Sequence, residues 1–287
     1  MLFRSFDPSV RTNFQVKTMT DNGHMFDLSQ WPIEDRRQIK GVFTDIDDTL
    51  TTDGAISSAA LSALGQLQHA GISVIAITGR PMGWSRSFAQ EWPVDAIVAE
   101  NGAVALVGNQ EFYLQDALTR SNNQQRMAQV VELILQALPH ARVSQDSFGR
   151  ETDIAIDHSE HHALDQQDIA KVVNIMQENG MTATVSSIHI NGWYGDHNKL
   201  EGAKWIAQKL LGRNLDLERN AWAYVGDSTN DQVMFANFAN SVGVANIQVF
   251  AQQLQHFPRY ITQSERGEGF AEVVVALLEA QIGRAHV

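Results

Sequence analysis

The sequence predicts an α/β fold, a parallel-sheet core with an inserted α+β cap, and three observations carry that expectation. Apolar strand-like runs at residues 41–45, 72–77 and 94–99 alternate with helical patterns, the signature of a parallel sheet with helices on both faces. The same rhythm returns after Asp196. Between the two stretches lies a hairpin-rich region in which strands and helices follow a different order.

Each element has its local cause. Ser57 and Ser58 offer N-caps to a helix whose Leu61, Leu64, Leu67 and Ala70 share a face, and Gly71 stops it. Pro81 suits the first turn of a helix after the second strand. Residues 104–107 and 111–114 read as a hairpin around Gly108 and Asn109. Helices are expected at 121–137 and 164–179, with strands at 142–144, 151–157, 182–187 and 188–193. Beyond Asp196, a helix at 199–211 is followed by a strand at 221–226, helical residues at 231–238, strands at 242–245 and 259–262, and a closing helix at 270–282. The expected division is a flexible tail over 1–36, a core of 37–108 and 197–287, and a cap of 109–196.

Composition narrows the function. The 287 residues are 44% apolar and 19% charged, as in a globular chain. Lys and Arg total 21 against 33 Asp and Glu, a net charge of −12. That balance argues against nucleic-acid and anionic-membrane partners, which need clustered positive charge. With no cysteine, disulfides, thiolate chemistry and zinc–thiolate sites are excluded. No apolar run reaches about 18 residues, and none follows Arg4 and Arg11, so neither a membrane span nor a secretory leader is expected. The expected location is cytoplasmic.

The chemistry gathers at strand ends, where ligands bind in open parallel sheets. Asp45 and Asp47, two residues apart beyond the first strand, can face one centre, one attacking phosphorus while the other moves protons. Such an oxygen-rich turn also suits Mg²⁺. Thr78, Gly79 and Arg80 end the second strand with a hydroxyl and backbone N–H groups that can hold phosphate. Lys199 opens a helix and can balance the nucleophile's charge. Gly226, Asp227, Ser228, Thr229, Asn230 and Asp231 add two more carboxylates at the end of a later strand. Any one of these could be an ordinary turn. Their joint order is far more specific.

With these four segments in that order, the chain resembles the haloacid dehalogenase superfamily of phosphohydrolases. The likeness is to subfamily IIB, whose large α+β cap lies between the second and third motifs. Residues 45–49 match its nucleophile motif, Thr78 its phosphate-binding threonine, Lys199 its third-motif lysine and residues 226–231 its acidic fourth motif. Glu100, Asn101 and Gly102, and the run 242–246, are also similar to that branch. The cap is similar to that of Cof-type, sucrose-phosphate and mannosyl-phosphoglycerate phosphatases and of phosphomannomutases. One departure is local: the familiar lysine–glycine pair is here Lys199 with Leu200 and Glu201 before Gly202.

The resemblance implies a Rossmann-like core and a set of roles. Asp45 becomes the nucleophile that forms an aspartyl-phosphate. Asp47 protonates the leaving alkoxide and then activates water. Mg²⁺ lies between the Asp45 carboxylate, the Asp47 backbone carbonyl and Asp227, with Asp231 in support. Thr78 and Gly79 hold phosphate, and Asn230 touches phosphate or substrate. In the cap, His189, Asn191 and Trp193 fall on one face of a strand, with His189 and Asn191 as candidate substrate contacts and the Trp193 indole suited to a sugar ring. Arg150, Glu151 and Asp153 form a second polar group. His158, His161 and His162 read as a solvated loop away from any active-site motif. The expected activity is Mg²⁺-dependent hydrolysis of a phosphate monoester of a sugar or small metabolite. The alternatives are a phosphomutase of the same superfamily and a catalytically silent phosphate-binding module.

Overall fold

The structure is a computed structural model and describes residues 24–282. The chain enters through β1 (Phe26–Asp27), α1 (Ile33–Gln38) and β2 (Gly41–Thr44), then turns through the small hairpin β3 (Thr51–Thr52) and β4 (Ala55–Ile56). It continues as α2 (Ser58–His69), β5 (Ser73–Ile77), α3 (Met82–Glu91), β6 (Ala96–Ala99), β7 (Val104–Val107) and β8 (Gln110–Tyr113). The insert follows: α4 (Ala117–Ala137), β9 (Arg142–Val143), β10 (Asp153–Asp157), α5 (Gln166–Glu178), β11 (Thr182–Val185) and β12 (His189–Trp193). The chain then returns as α6 (Lys199–Leu211), α7 (Leu215–Glu218), β13 (Trp222–Gly226), α8 (Gln232–Phe235), β14 (Asn240–Gly243), β15 (Tyr260–Ile261) and α9 (Arg266–Ile282).

The main sheet has nine strands in the order β1-β15-β14-β13-β2-β5-β6-β7-β8. From β1 to β6 every neighbour is parallel; β7 and β8 close the edge antiparallel. Its central strands are buried on both faces, so they read as unbroken apolar runs rather than alternating ones. On one face α2, α3 and α9 bury Leu64, Leu67, Met82 and Phe270. On the other, α6, α7 and α8 bury Ile206, Leu215 and Phe235, and Phe43 stacks on Trp222 at 4.6 Å.

The insert carries its own antiparallel sheet, β11-β12-β10-β9. Pairing of Ile156 with Ile190 puts both on the face that packs on Met127, Val130 and Val172 of α4 and α5. By the period-two rule the opposite face carries Asp153, Asp157, His189 and Asn191, and Asn191 meets Gly79 beyond the carboxyl end of β5.

Two expectations change. The insert does not begin at residue 109: β8 pairs with β7 (Leu106↔Glu111), so residues 110–113 belong to the nine-stranded sheet. The hairpin reading was sound, but hairpins need not leave the sheet they grow from. The expected flexible tail of 1–36 does not hold over residues 24–36. Residues 1–23 lie outside the described part, and from His24 onward the chain is built in. Trp31 is buried, stacks on Tyr260 at 5.5 Å and donates its indole N–H to Asn240 Oδ1 at 3.0 Å. Trp31→Ala should therefore lower unfolding stability by about 3–5 kcal/mol in urea titrations. An unchanged midpoint would mean that this segment is a free tail.

Candidate active site

The sheet order places β13, β2 and β5 side by side and parallel, so their carboxyl ends bring Asp227, Asp45 and Thr78 to one edge. The backbone then bends sharply. Asp48 takes a φ of 54°, and its carbonyl accepts from Asn246 Nδ2 at 3.0 Å. The same amide donates to Asp227 Oδ2 at 3.1 Å, tying the run 242–246 to the acidic loop.

Lys199 reaches this edge from the first position of α6. Asn198 caps that helix, its side-chain oxygen accepting from the N–H groups of Leu200 and Glu201. The helix can approach because Gly202 faces Gly102: a Cβ on Gly202 would lie 2.5 Å from the Gly102 Cα. The glycine thus works one turn into the helix rather than beside the lysine. The ammonium donates to Asp45 Oδ1 at 2.5 Å and to Asp231 Oδ1 at 2.6 Å. Burial opposes its charge, but Asp231 and Asp45 outweigh burial and hold its pKa above the ordinary value.

Asp231 is saturated. Its Oδ1 also accepts from Tyr224, and its Oδ2 accepts from the N–H groups of Asp227 (2.9 Å) and Ser228 (3.2 Å). Asp227 is the opposite case: its Oδ1 is buried with no partner. Oxygens of Asp45, Asp227 and Asp231 lie within 4.8 Å of one another. Three buried carboxyl groups face one ammonium, and fully ionised they would carry two uncompensated negative charges. Burial pushes Asp45 up to about 8 against the pull of Lys199, with Asp231 and Asp47 adding to the rise; burial and Asp45 raise Asp227 as well. An all-oxygen donor set, an orphaned carboxylate oxygen and that excess of carboxyl groups over ammonium together fit a hard divalent cation.

Asp47 accepts from Arg80 Nε at 2.9 Å. Thr78 is buried and its hydroxyl oxygen accepts from Arg80 N at 2.9 Å, leaving the O–H proton for another acceptor. The Gly79 carbonyl accepts from Arg150 Nη1 (2.9 Å) and Asn191 Nδ2 (3.4 Å) of the insert. Asn230 Oδ1 accepts from Ser228 Oγ at 3.0 Å. Asp45, Asp47, Gly79, His189, Asn191 and Asn230 line one cavity of ≈ 10 Å³, closed by the insert. A larger hollow of ≈ 580 Å³ lies at the two chain crossings, lined by Gln115, His197 and Trp205, and contains none of the expected site residues.

Two cap expectations change here. Trp193 does not reach the cavity: it stacks on His197 at 5.4 Å and donates its indole N–H to the His197 carbonyl, packing the second crossing. The loop with His158, His161 and His162 is not remote. His158 is buried, and Glu160 Oε1 accepts from Arg80 Nη2 at 2.7 Å while Oε2 meets His189 Nε2 at 2.9 Å. Arg150 pairs with Asp153 at 2.9 Å, which in turn accepts from Asn191 at 3.0 Å.

A family profile described as haloacid dehalogenase-like hydrolase matches residues 42–147. A phosphoglycolate phosphatase of Archaeoglobus fulgidus is 25% identical over 238 residues, 82% of this chain and 95% of that protein. Among solved structures, a HAD/COF-like hydrolase from Plasmodium vivax superposes with a TM-score of 0.64 at 19% identity, covering 86% of this chain and 99% of its own. The sucrose-phosphatase of Synechocystis superposes with a TM-score of 0.61 at 16% identity, covering 84% and 98%. In these comparisons the chain is similar to the haloacid dehalogenase-like hydrolases, with the profile matching residues 42–147 and the solved structures sharing its fold.

Several residues of this site carried no sequence signal strong enough to single them out. Tyr224 lies inside a buried strand and looks like core. Glu100 was noted only as part of a familiar turn. Its fully buried carboxylate accepts from Met82 N at 3.0 Å and, across the domain gap, from Thr152 N at 2.6 Å and Thr152 Oγ1 at 2.5 Å. Arg80 could have been suspected from its place beside Thr78; its partners could not. In chelator-treated protein, Lys199→Met should cost about 3–5 kcal/mol of unfolding stability by stranding buried carboxylates. Adding Asp45→Asn should recover more than about 1 kcal/mol relative to additivity. Additive losses in the urea-unfolding cycle would contradict the pairing.

Proposed function

We propose that this protein is a Mg²⁺-dependent phosphatase that cleaves phosphate monoesters of small metabolites through an aspartyl-phosphate on Asp45. The observation that carries the reading is the shared cavity of Asp45 and Asp47 above the Lys199–Asp231 pair, with the unpartnered Asp227 Oδ1 beside it. A group that only bound phosphate would have no use for two carboxylates facing the anion.

In the first half-reaction an Asp45 oxygen attacks phosphorus and the ester P–O bond breaks. The leaving oxygen takes a proton from Asp47. In the second half Asp47 takes a proton from water, the water oxygen attacks phosphorus, and the Asp45 carboxylate departs. Thr78 and the Gly79 N–H are suited to the phosphoryl oxygens, and Lys199 holds Asp45 in its attacking position. Asp45, the Asp47 carbonyl and Asp227 would hold the cation, with Asp231 fixing the loop. Bound there, Mg²⁺ supplies charge that lets a carboxylate approach a phosphate dianion.

Because the cavity beneath the insert is ≈ 10 Å³, about the size of one water, substrate entry requires the cap to lift and close again. The named relatives span phosphoglycolate and sucrose phosphate, so the core supports the reaction and the cap is left to select the leaving group. A soluble phosphorylated metabolite and a cytoplasmic setting suit a cysteine-free chain in which, among the described residues, no helix is long and apolar enough to cross a membrane.

Asp45→Asn should abolish phosphate release, a loss of at least about 10³-fold, with an unchanged fold by circular dichroism. Exhaustive chelation should likewise stop the wild-type enzyme and Mg²⁺ restore it; full activity after chelation would defeat the metal requirement. Asp47→Asn should slow alkyl phosphates by about 10²–10⁴-fold and p-nitrophenyl phosphate much less, because a good leaving group needs little protonation. Equal losses on both esters would remove Asp47 from the acid role.

A further inference from the structure

Glu160 is an odd neighbour for a phosphatase cavity. It lies on the loop after β10, whose turn is fixed by Asp157 accepting from the N–H groups of Ser159 (3.1 Å), Glu160 (2.9 Å) and His161 (3.0 Å). From there it sends a carboxylate to two buried groups on opposite sides of the domain gap. One oxygen takes Arg80 Nη2 of the core at 2.7 Å, the other meets His189 Nε2 of the insert at 2.9 Å. Both Arg80 and His189 line the cavity that holds Asp45 and Asp47; Glu160 does not. Arg80 and His189 are more than nine-tenths buried, whereas the Glu160 side chain keeps 19% of its surface in solvent. Two further acids meet Arg80: Asp47 of the core at 2.9 Å, and Asp146 of the insert at 3.4 Å, already held by Ser144 (2.6 Å) and Arg150 (3.1 Å).

Geometry then restricts what replaces it. The leaving oxygen must come within hydrogen-bonding reach of the Asp47 carboxyl, about 2.6–3.2 Å. Arg80 Nε is itself 2.9 Å from that carboxyl. The first atoms of the leaving group beyond the ester oxygen therefore fall beside the Arg80 guanidinium, with His189 on the other wall. A carboxylate placed there meets a planar fork and an imidazole, a donor set matched to its two oxygens. It cannot share that set with Glu160, whose two oxygens already occupy Arg80 Nη2 and His189 Nε2. Exchange of one carboxylate for another leaves the buried charge unchanged, and the Glu160 side chain has solvent to swing into. A neutral sugar hydroxyl offers Arg80 no such compensation.

We propose that Arg80 and His189 form a subsite for a carboxylate on the substrate, that Glu160 is its internal stand-in, and that the favoured substrates are phosphate esters of small hydroxy acids with one or two carbons between ester oxygen and carboxylate. This rests on the phosphatase reading and gives its substrate a class. Binding of the substrate's acid group frees Glu160, so the insert senses the correct leaving group while it closes.

The test separates the subsite from the reaction. Binding of 3-phosphonopropanoate and of propylphosphonate, which match in shape and differ in the carboxylate, is measured by calorimetry with Mg²⁺ on the wild-type protein, Glu160→Gln and His189→Gln. The wild type should prefer the carboxylated ligand by about tenfold. Glu160→Gln should widen that ratio severalfold, since a neutral amide competes poorly for Arg80, and His189→Gln should narrow it. Equal affinities for the two ligands in wild type and Glu160→Gln would overturn the subsite. A Glu160→Gln variant that weakens both ligands by the same factor would also overturn it, making Glu160 a strut of the closed cap. Phosphate release from p-nitrophenyl phosphate is read alongside: its absence would sink the phosphatase reading, while the binding ratio still decides the carboxylate subsite.

Discussion

The Lys199 ammonium, buried between Asp45 and Asp231, is the constraint around which the site is arranged. Three parallel strand ends would by themselves crowd carboxylates that repel one another. A single cation brought in from the far side of the insert makes their company tolerable, and it does so with little freedom. Its helix is capped by Asn198, packed glycine to glycine against the turn at 100–102, and fastened to the acidic loop through the same Asp231 that accepts from Tyr224 and two backbone N–H groups. What this network leaves unsatisfied is as informative as what it satisfies. The unpartnered Asp227 oxygen and the excess of carboxyl groups over ammonium fit a hard divalent cation.

The second organising feature is how the insert is held. Its polar contacts fall on three turns at strand ends: Gly79 and Arg80 after β5, Glu100 after β6, and Thr229 after β13, whose hydroxyl donates to the Val185 carbonyl at 2.6 Å. Glu100 and Asn101 take φ values of 49° and 55°, a conformation that costs free energy for residues with side chains and persists only where surroundings impose it. Here the carboxylate of Glu100 gathers donors from Met82 in the core and Thr152 in the insert, so the strained turn is also the clasp. The insert is in this way fastened beside the cavity of Asp45 and Asp47 through polar groups on these turns.

Much of this was legible in the sequence. The parallel rhythm was readable because buried central strands such as β5 and β6 are almost wholly apolar, and the meeting of Asp45, Thr78 and Asp227 because each follows the end of a parallel strand. The misreadings have physical causes. Trp31 lies in a short segment with no periodicity, and its anchoring depends on Asn240 and Tyr260, more than two hundred residues away. Residues 110–113 alternate as any hairpin arm does, and nothing local says which sheet they join. Trp193 shares a face with His189 and Asn191 as the strand period requires, but its position at the end of β12 delivers it to the crossing beside His197. Glu160 looked like loop solvation because its partners, Arg80 and His189, are distant in the chain and meet it only when the insert packs on the core.

The central claim is covalent: Asp45 becomes phosphorylated during turnover. Acid-quenched turnover followed by borohydride reduction converts an aspartyl-phosphate to homoserine, which peptide mass spectrometry locates. With a hydrolysable phosphate ester and Mg²⁺, homoserine should replace aspartate at position 45 and at no other carboxylate, and the signal should vanish without substrate. Turnover that leaves Asp45 unreduced, or a reduction product at Asp47, Asp227 or Asp231 instead, would contradict the account.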